Sequence, residues 1–294
     1  MQIEKTGHFT GHKNAVYSLI ATDEKNFLSG SGDNYVVKWN IENDSEGTVL
    51  STMPSGVYCF LKSDKLLFTG CGNGEVHCIS LESNTDIFKS PVHEGYVFDL
   101  LMHQQHIFSA GGDGTVVKLN MQLQKETSVY LGKFKVRNLL LHPDQKNLIA
   151  ACGDGTIKVL DSATLELKKS FQAHREKFSV NTLCLTPDNK LLSGSRDAML
   201  EVFDLSNDFK KVESIPAHNY AIYKMGFNPS GKILATASRD RKVKLWSADL
   251  KFLARIDDTL NGHKHSVNTL HWLNDTTLLT AGDDRSIIAW KITD

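Results

Sequence analysis

Pairs of histidines at metal-ligand spacing occur twice, at His103 and His106 and at His263 and His265. A bound transition metal needs three or four histidine, cysteine or carboxylate ligands, and neither pair has a third such ligand nearby in the sequence. The first pair is expected in a hairpin between two strands. We therefore expect no metal at either pair.

Motifs of catalysis and nucleotide binding are absent from the sequence. It contains no GxxxxGK[ST], HExxH or GxSxG, the patterns of phosphate loops, zinc proteases and serine hydrolases. The stretch GCGNG at residues 70–74 resembles half of a dinucleotide-binding loop, but no helix is predicted after it, and we interpret it as a hairpin turn. The sequence predicts a protein that has no cofactor and is not an enzyme.

The cysteines lie in or beside apolar runs of β-forming residues, and no CxxC pair occurs. Their odd number and spacing argue against a disulfide framework and against a zinc site. We expect small buried thiols at Cys59, Cys71, Cys78, Cys152 and Cys184.

Charge is balanced along the chain of 294 residues, with 33 Lys and Arg against 34 Asp and Glu. A net charge of −1 gives no reason to expect nucleic acid or an acidic membrane as a partner. No apolar run reaches the about 18 residues of a membrane span, and the first residues lack the apolar stretch of a secretion signal. The default expectation is a cytoplasmic protein.

One pattern recurs along the whole chain, a turn residue followed six residues later by a large apolar residue. The copies are Asp33 and Trp39, Asn73 and Ile79, Asp113 and Leu119, Asp154 and Leu160, Asp197 and Phe203, Asp240 and Trp246, and Asp284 and Trp290. Successive turn residues lie 40 to 44 residues apart, the period of a four-stranded propeller blade. Runs of β-forming residues between turns rich in Gly, Asp and Asn predict four antiparallel strands in each copy. The predicted fold is all-β, a propeller of seven blades.

The chain resembles the WD-repeat (WD40) family of β-propellers over essentially its whole length. Members of that family begin a blade with Gly-His and leave it with Trp-Asp. Here Gly-His stands at residues 11–12 and 262–263, while the exits include Trp-Asn at 39–40 and Trp-Ser at 246–247. No exit is a literal Trp-Asp, but seven copies occur in phase.

The resemblance divides residues 1–294 into seven blades of a single domain. The expected blades are about 12–52, 53–90, 91–131, 132–172, 173–216, 217–260 and 261–294. The last of these ends too soon for a fourth strand, and residues 2–10 resemble the segments that precede other blades. We expect residues 3–9 to form the outer strand of blade seven and close the ring, which removes open sheet edges.

The resemblance also implies a buried hydrogen-bonded set of His, Ser or Thr, Asp and Trp in each complete blade. Blades one, six and seven match at all four positions, with His12, Ser29, Asp33 and Trp39, with His218, Thr236, Asp240 and Trp246, and with His263, Thr280, Asp284 and Trp290. Histidine, serine and aspartate also form hydrolase triads, but a set repeated in every such blade indicates a structural role. Blades two and four lack the histidine, and we expect them to be held least firmly.

Two positions in each blade are expected on the narrow top face of the ring, where family members commonly bind peptides or partner proteins. One lies on the innermost strand and the other immediately precedes the turn Asp. Together they put aromatic residues and uncovered glycines on blades one to three and basic residues on blades four to six. The predicted binding residues are Tyr17, Tyr58, Tyr96, Phe98, Lys135, Arg137, Arg196, Tyr223 and Arg239.

The expected function is a non-catalytic scaffold or adaptor, monomeric, that binds a peptide or partner protein on this face. Aromatic residues and arginine dominate interface energetics, and arginine binds carboxylate or phosphate with two hydrogen bonds, so the ligand would have an apolar anchor and an acidic or phosphorylated segment. Two alternatives stay open, an enzyme or small-ligand binder that uses the central channel and nucleic-acid binding through the arginines. A third interpretation is that the aromatic residues only pack the channel wall.

Overall fold

The computed structural model describes residues 1–293, apart from the side chains of residues 44–46. This part of the chain forms 28 β-strands, β1 to β28, and two single-turn 3-10 helices at Leu205–Asn207 and Asp258–Leu260. The strands assemble into seven antiparallel sheets of four strands each. The predicted seven-bladed all-β propeller is confirmed.

The first four sheets are built from continuous stretches of chain. Blade one contains β2 to β5, at Val16–Ala21, Asn26–Ser31, Tyr35–Asn40 and Asn43–Thr52. Blade two contains β6 to β9, at Val57–Ser63, Leu66–Cys71, Glu75–Ser80 and Thr85–Pro91. Blade three contains β10 to β13, at Val97–His103, His106–Gly111, Thr115–Asn120 and Lys125–Tyr130. Blade four contains β14 to β17, at Val136–Leu141, Asn147–Cys152, Thr156–Asp161 and Leu167–Gln172.

The last three sheets complete the ring. Blade five contains β18 to β21, at Val180–Leu185, Lys190–Ser195, Met199–Asp204 and Lys210–Pro216. Blade six contains β22 to β25, at Ile222–Phe227, Ile233–Ser238, Val243–Ser247 and Phe252–Ile256. Blade seven contains β26 to β28, at Val267–Asn274, Thr277–Gly282 and Ile287–Thr293, with β1, Gln2–Phe9, as its outermost strand.

Ring closure depends on β1, the first strand of the chain. It pairs antiparallel with β28 from Gln2 opposite Thr293 to Phe9 opposite Ile287, with one irregularity between Lys5 and Gly7. The predicted closure by the N-terminal strand is confirmed. Because both ends of the chain lie in one sheet, blade seven joins the first residues of the ring to the last.

The core lies between neighbouring blades. The first strand of each blade contacts the first strand of the next blade, so these seven strands surround the centre of the ring. The second strands, such as Asn26–Ser31 and Leu66–Cys71, are buried almost throughout, because each lies in a sheet that another blade covers on either side. Between blades seven and one, Phe9 packs with Phe27 and Trp39.

Hydrogen-bonded sets of polar side chains hold the turns of the complete blades. In blade one, His12 Nδ1 lies 2.9 Å from Asp33 Oδ2 and His12 Nε2 lies 2.7 Å from Ser29 Oγ. Trp39 Nε1 donates to the same Ser29 hydroxyl at 2.7 Å. The equivalent residues of blades six and seven are linked in the same way, and blades three and five keep the His, Ser and Asp contacts.

Blade two uses different contacts. At the position of the usual Ser or Thr, Thr69 has Met53 Sδ as its partner at 3.5 Å. A histidine that the repeat pattern does not single out, His77, is buried in the sheet, with Nδ1 2.5 Å from Asp86 Oδ2 and Nε2 3.1 Å from Glu75 Oε2. His77 thus links β8 to β9 through Asp86, and it contacts Glu75 at the start of β8.

Candidate functional site

The first strands of the blades surround a cavity of about 390 Å³ at the end of the channel next to the Asp turns, and we call this cavity the funnel. Its wall contains seven of the nine predicted binding residues, Tyr17, Tyr58, Tyr96, Phe98, Lys135, Arg137 and Tyr223. Each of these side chains comes from the innermost strand or from the residues just before it. The repeat therefore carries them to one place from five different blades.

Four aromatic rings from blades one to three form one continuous surface, which we call the aromatic wall. Tyr17 stacks on Tyr58 with ring centroids 4.6 Å apart, Tyr58 meets the edge of Tyr96 at 4.9 Å, and Tyr96 stacks on Phe98 at 5.4 Å. Burial and the neighbouring tyrosines raise the pKa of Tyr58, so its hydroxyl stays protonated and can donate a hydrogen bond.

Glycines before the turns leave the rings room. A Cβ atom at Gly72 would lie 3.0 Å from Cε2 of Tyr58, and one at Gly32 would lie 3.3 Å from Cε2 of Tyr17. These separations are tighter than nearly all real Cβ contacts, so a larger residue at either position would displace the ring. The glycines thus leave space for the rings of Tyr17 and Tyr58.

Basic side chains from blade four complete the funnel. The guanidinium carbon of Arg137 lies 4.1 Å from the Phe98 ring centroid, and Lys135 Nζ lies 5.6 Å from Phe98 and 5.7 Å from Tyr96. Such contacts attract the cation to the ring face. Burial lowers the pKa of Arg137, but guanidinium groups remain charged in proteins, so positive charge lies against the aromatic wall.

Deeper in the funnel are polar residues that sequence reasoning did not assemble. Asp99 accepts hydrogen bonds from Asn138 Nδ2 at 2.5 Å and from the Leu139 amide at 2.8 Å, and burial raises its pKa. Lys224 also lines the cavity. Asp99, Asn138 and Lys224 each follow one of the predicted residues by one position. The position that follows the predicted innermost-strand residue in each blade would have identified Asn138 and Lys224 from the sequence.

Two predicted binding residues lie outside the funnel. Arg196 lines a second cavity of about 410 Å³ next to it. Arg239 lines neither cavity, and its guanidinium carbon lies 6.0 Å from the Tyr220 ring centroid. Of the three predicted arginines, Arg137 and Arg196 therefore share the second cavity, whereas Arg239 lies apart from both cavities.

The histidine pairs and the cysteines are the side chains outside the top-face set that could ligate a metal. Among residues 1–293, no group of three or more His, Cys, Asp or Glu is arranged to hold a metal ion, and His103 and His106 are paired across the β10–β11 hairpin. The cysteines are free, four of them buried and Cys184 half-buried. Burial raises the pKa of Cys71 and of Cys152 to about 12. Within the same residues, no helix is long and apolar enough to span a bilayer.

The fold and the repeated polar sets define a seven-bladed β-propeller built from repeats. The family model described as "WD domain, G-beta repeat" matches residues 3–40, 124–161, 165–204, 209–247 and 255–291, which is more than half of the chain. The chain belongs to the WD40 family. Residues 41–123 lie between the matched intervals, yet they contain the complete four-stranded sheet of blade two and the first three strands of blade three.

Relatives of known sequence and structure agree with this assignment. The chain is 29% identical over 167 residues to nuclear distribution protein PAC1 of Arthroderma benhamiae, covering 53% of this chain and 36% of that protein. It is 24% identical to guanine nucleotide-binding protein subunit beta-1 of Nicotiana tabacum, covering 95% of this chain and 81% of that protein. The solved WD40 β-propeller domain of Doa1 superposes with a TM-score of 0.87 at 18% identity, covering 100% and 98% of the two chains. The match to PAC1 thus spans about a third of that relative's length.

Proposed function

We propose that the protein is a non-catalytic scaffold that binds an extended segment of a partner protein on its top face. An apolar side chain of that segment occupies the funnel, and its acidic part extends over blades four and five. The observation that carries this proposal is the aromatic wall beside Lys135 and Arg137. Aromatic and arginine side chains in a concave surface are the groups that contribute most binding energy at protein interfaces.

The size and rigidity of the funnel support a peptide ligand. Ligand pockets in proteins have volumes of about 300–1,000 Å³, and about 390 Å³ accommodates one or two large side chains. Tyr17 and Tyr58 are already stacked on each other, so little side-chain freedom is lost when a ligand binds. Tyr96 remains 40% exposed at the rim and offers apolar surface to an incoming segment.

The relatives support an interaction role. The match to the Nicotiana tabacum relative covers 95% of the present chain, and that relative is by its name a subunit of a larger assembly. Asp99 and Asp283 are the acidic residues that line the funnel, and Asp99 is engaged with Asn138 and the Leu139 amide. The Asp99 carboxylate links blades three and four, and Asp283 accepts a hydrogen bond from Asn268, which fits a binding surface better than a reaction centre.

Affinity capture with three forms of the protein tests the proposal. Tyr96→Ala removes an exposed ring of the aromatic wall, and Tyr130→Ala removes a ring that is 58% exposed on an outer strand of the same blade. Partners identified by mass spectrometry should be retained by the intact protein and by Tyr130→Ala and be lost from Tyr96→Ala. Equal partner lists for all three forms, with unchanged thermal melting, would place binding elsewhere on the ring.

A further inference from the structure

Basic side chains converge beside the funnel, over blades four and five. They line the cavity of about 410 Å³ together with Phe134, Ser179 and Asn181, and we call this cavity the basic depression. Its basic residues are Lys133, Lys135, Arg137, Lys177 and Arg196. Lys135, Arg137 and Asn181 also line the funnel, so the two cavities adjoin each other.

The charges of the basic depression are not neutralised by the protein. Within residues 1–293, no ion pair joins any of the five cations to a carboxylate, and no acidic residue lines the cavity. Two turn carboxylates lie beside the cavity: Asp197 is occupied by His174 and by the amide of Met199, and Asp154 accepts hydrogen bonds from the amide and hydroxyl of Thr156. Elsewhere on the ring, by contrast, lysines such as Lys169 do pair with a carboxylate.

We propose that the basic depression binds a phosphorylated side chain of the partner segment, an inference that rests on the proposed function of the funnel. Several like charges in one cavity repel each other, and a ligand of high negative charge relieves that repulsion. A phosphorylated residue carries a charge of about −1.5 to −2 and three strong acceptor oxygens, whereas a glutamate carries one charge. The phosphate can therefore contact several of the five cations at once, and Arg196 offers it a planar pair of donors.

The opposite side of the funnel fixes the direction of the ligand. Asp283 of blade seven lines the funnel across from blade four, and it accepts a hydrogen bond from Asn268 Nδ2 at 2.7 Å. A negative group of the ligand is disfavoured there. The phosphorylated residue should therefore lie on one side of the apolar anchor, over blades four and five, and a neutral or basic residue on the other.

A single-stranded nucleic acid is the other macromolecule that combines aromatic and basic contacts, but the contacts favour a peptide. Bases need free ring faces for stacking. Here Tyr17 and Tyr58 cover each other, and the guanidinium of Arg137 covers Phe98. The net charge of −1 also opposes binding to a polyanion outside this one cavity.

Oriented peptide libraries test the inference directly. Three immobilised libraries have a central phosphothreonine, threonine or glutamate and random residues on both sides, and the full chain is the soluble probe. We expect the phosphothreonine library to retain about tenfold more protein than the threonine library, with apolar residues selected on one side of the centre. The double variant Lys177→Glu, Arg196→Glu should lose this excess, and the control Lys89→Glu, Lys232→Glu, with the same charge change at exposed positions, should keep it.

Each other result has a distinct meaning. Equal retention on the glutamate and phosphothreonine libraries, or equal retention on all three with apolar selection intact, would overturn the phosphate inference and leave the peptide-binding funnel standing. No sequence selection by any library would overturn both. Binding of a fluorescent U12 oligonucleotide that the double variant abolishes, without retention on the phosphothreonine library, would show that the cavity binds nucleic acid instead.

Discussion

Replacing Thr236 by valine should show how much a complete polar set contributes to the ring. Burial lowers the pKa of His218, so the ring is neutral at pH 7, and its Nδ1 faces Asp240 at 3.0 Å. The hydrogen therefore lies on Nδ1, and Nε2 accepts from the Thr236 hydroxyl at 2.8 Å. Trp246 Nε1 donates to the same hydroxyl at 3.0 Å, so one oxygen serves two buried groups.

Valine has nearly the shape of threonine but removes both contacts. The indole N–H of Trp246 and Nε2 of His218 would remain buried without partners, and each such group costs about 1–3 kcal/mol. We expect Thr236→Val to lower the free energy of unfolding by about 2–6 kcal/mol. Burial alone would raise the pKa of Asp240, but hydrogen bonds from His218 and backbone amides lower it to about 2, so this carboxylate should keep its charge in the variant at pH 7.

The matched control is Thr69→Val in blade two. Thr69 is fully buried at the equivalent position, but its partner is the weakly accepting Sδ of Met53 at 3.5 Å, so the expected loss is below about 1 kcal/mol. Urea unfolding followed by tryptophan fluorescence measures the free energy of unfolding of both variants, which can be compared if their m values are equal. Equal losses for the two variants would refute the argument that the polar set, rather than the buried threonine itself, stabilises the blade.

Three further predictions concern closure, pH and the thiols. Phe9→Ala should lower the free energy of unfolding by about 3–5 kcal/mol, because Phe9 is 1% exposed between blades seven and one. The control Phe252→Ala, at a ring that is 53% exposed, should cost less than about 1 kcal/mol. Urea unfolding of both variants measures the difference. Burial and the nearby charge of Lys224 lower the pKa of His271 to about 4, while an unfolded histidine titrates near 6.5. The unfolded state therefore takes up the proton first, so the free energy of unfolding should fall by up to about 3 kcal/mol between pH 6.5 and 4, and His271→Gln should reduce that slope in unfolding curves recorded across this range. Four thiols are buried and Cys184 is half-buried, and burial raises the pKa of Cys71 to about 12 and also raises that of Cys184; a thiol reagent at pH 8 should therefore modify the native chain far more slowly than the chain in urea.

The architecture could be predicted because the repeat is periodic in the sequence. The turn residue and the apolar residue six positions later recur seven times, and each copy must bury its sheet against the next. The same period placed Tyr17, Tyr58 and Arg137 on one cavity. A residue's position in the repeat thus determines which strand it occupies and toward which end of the channel it lies.

The surroundings of a repeated position could not be predicted in this way where they depend on loops that do not repeat. Arg196 and Arg239 occupy the same position in their blades, yet one lines the basic depression and the other lies against Tyr220. Their surroundings depend on the loop before each blade, where Lys177 stands near Arg196, and these loops do not repeat in sequence. The composition of the basic depression therefore became visible only when the blades were assembled.

Blade two shows how the binding surface and the stability of the ring are connected. A complete polar set ties the residue before the first strand to the turn and to the third strand, whereas His77 ties only the third strand to the fourth. The top edge of blade two has instead Tyr58, whose ring contacts Tyr17 of one neighbouring blade and Tyr96 of the other. These rings thus line the funnel and also hold adjacent blades together. Removal of Tyr58 would therefore change both binding and stability, and the exposed Tyr96 is the better position at which to separate the two.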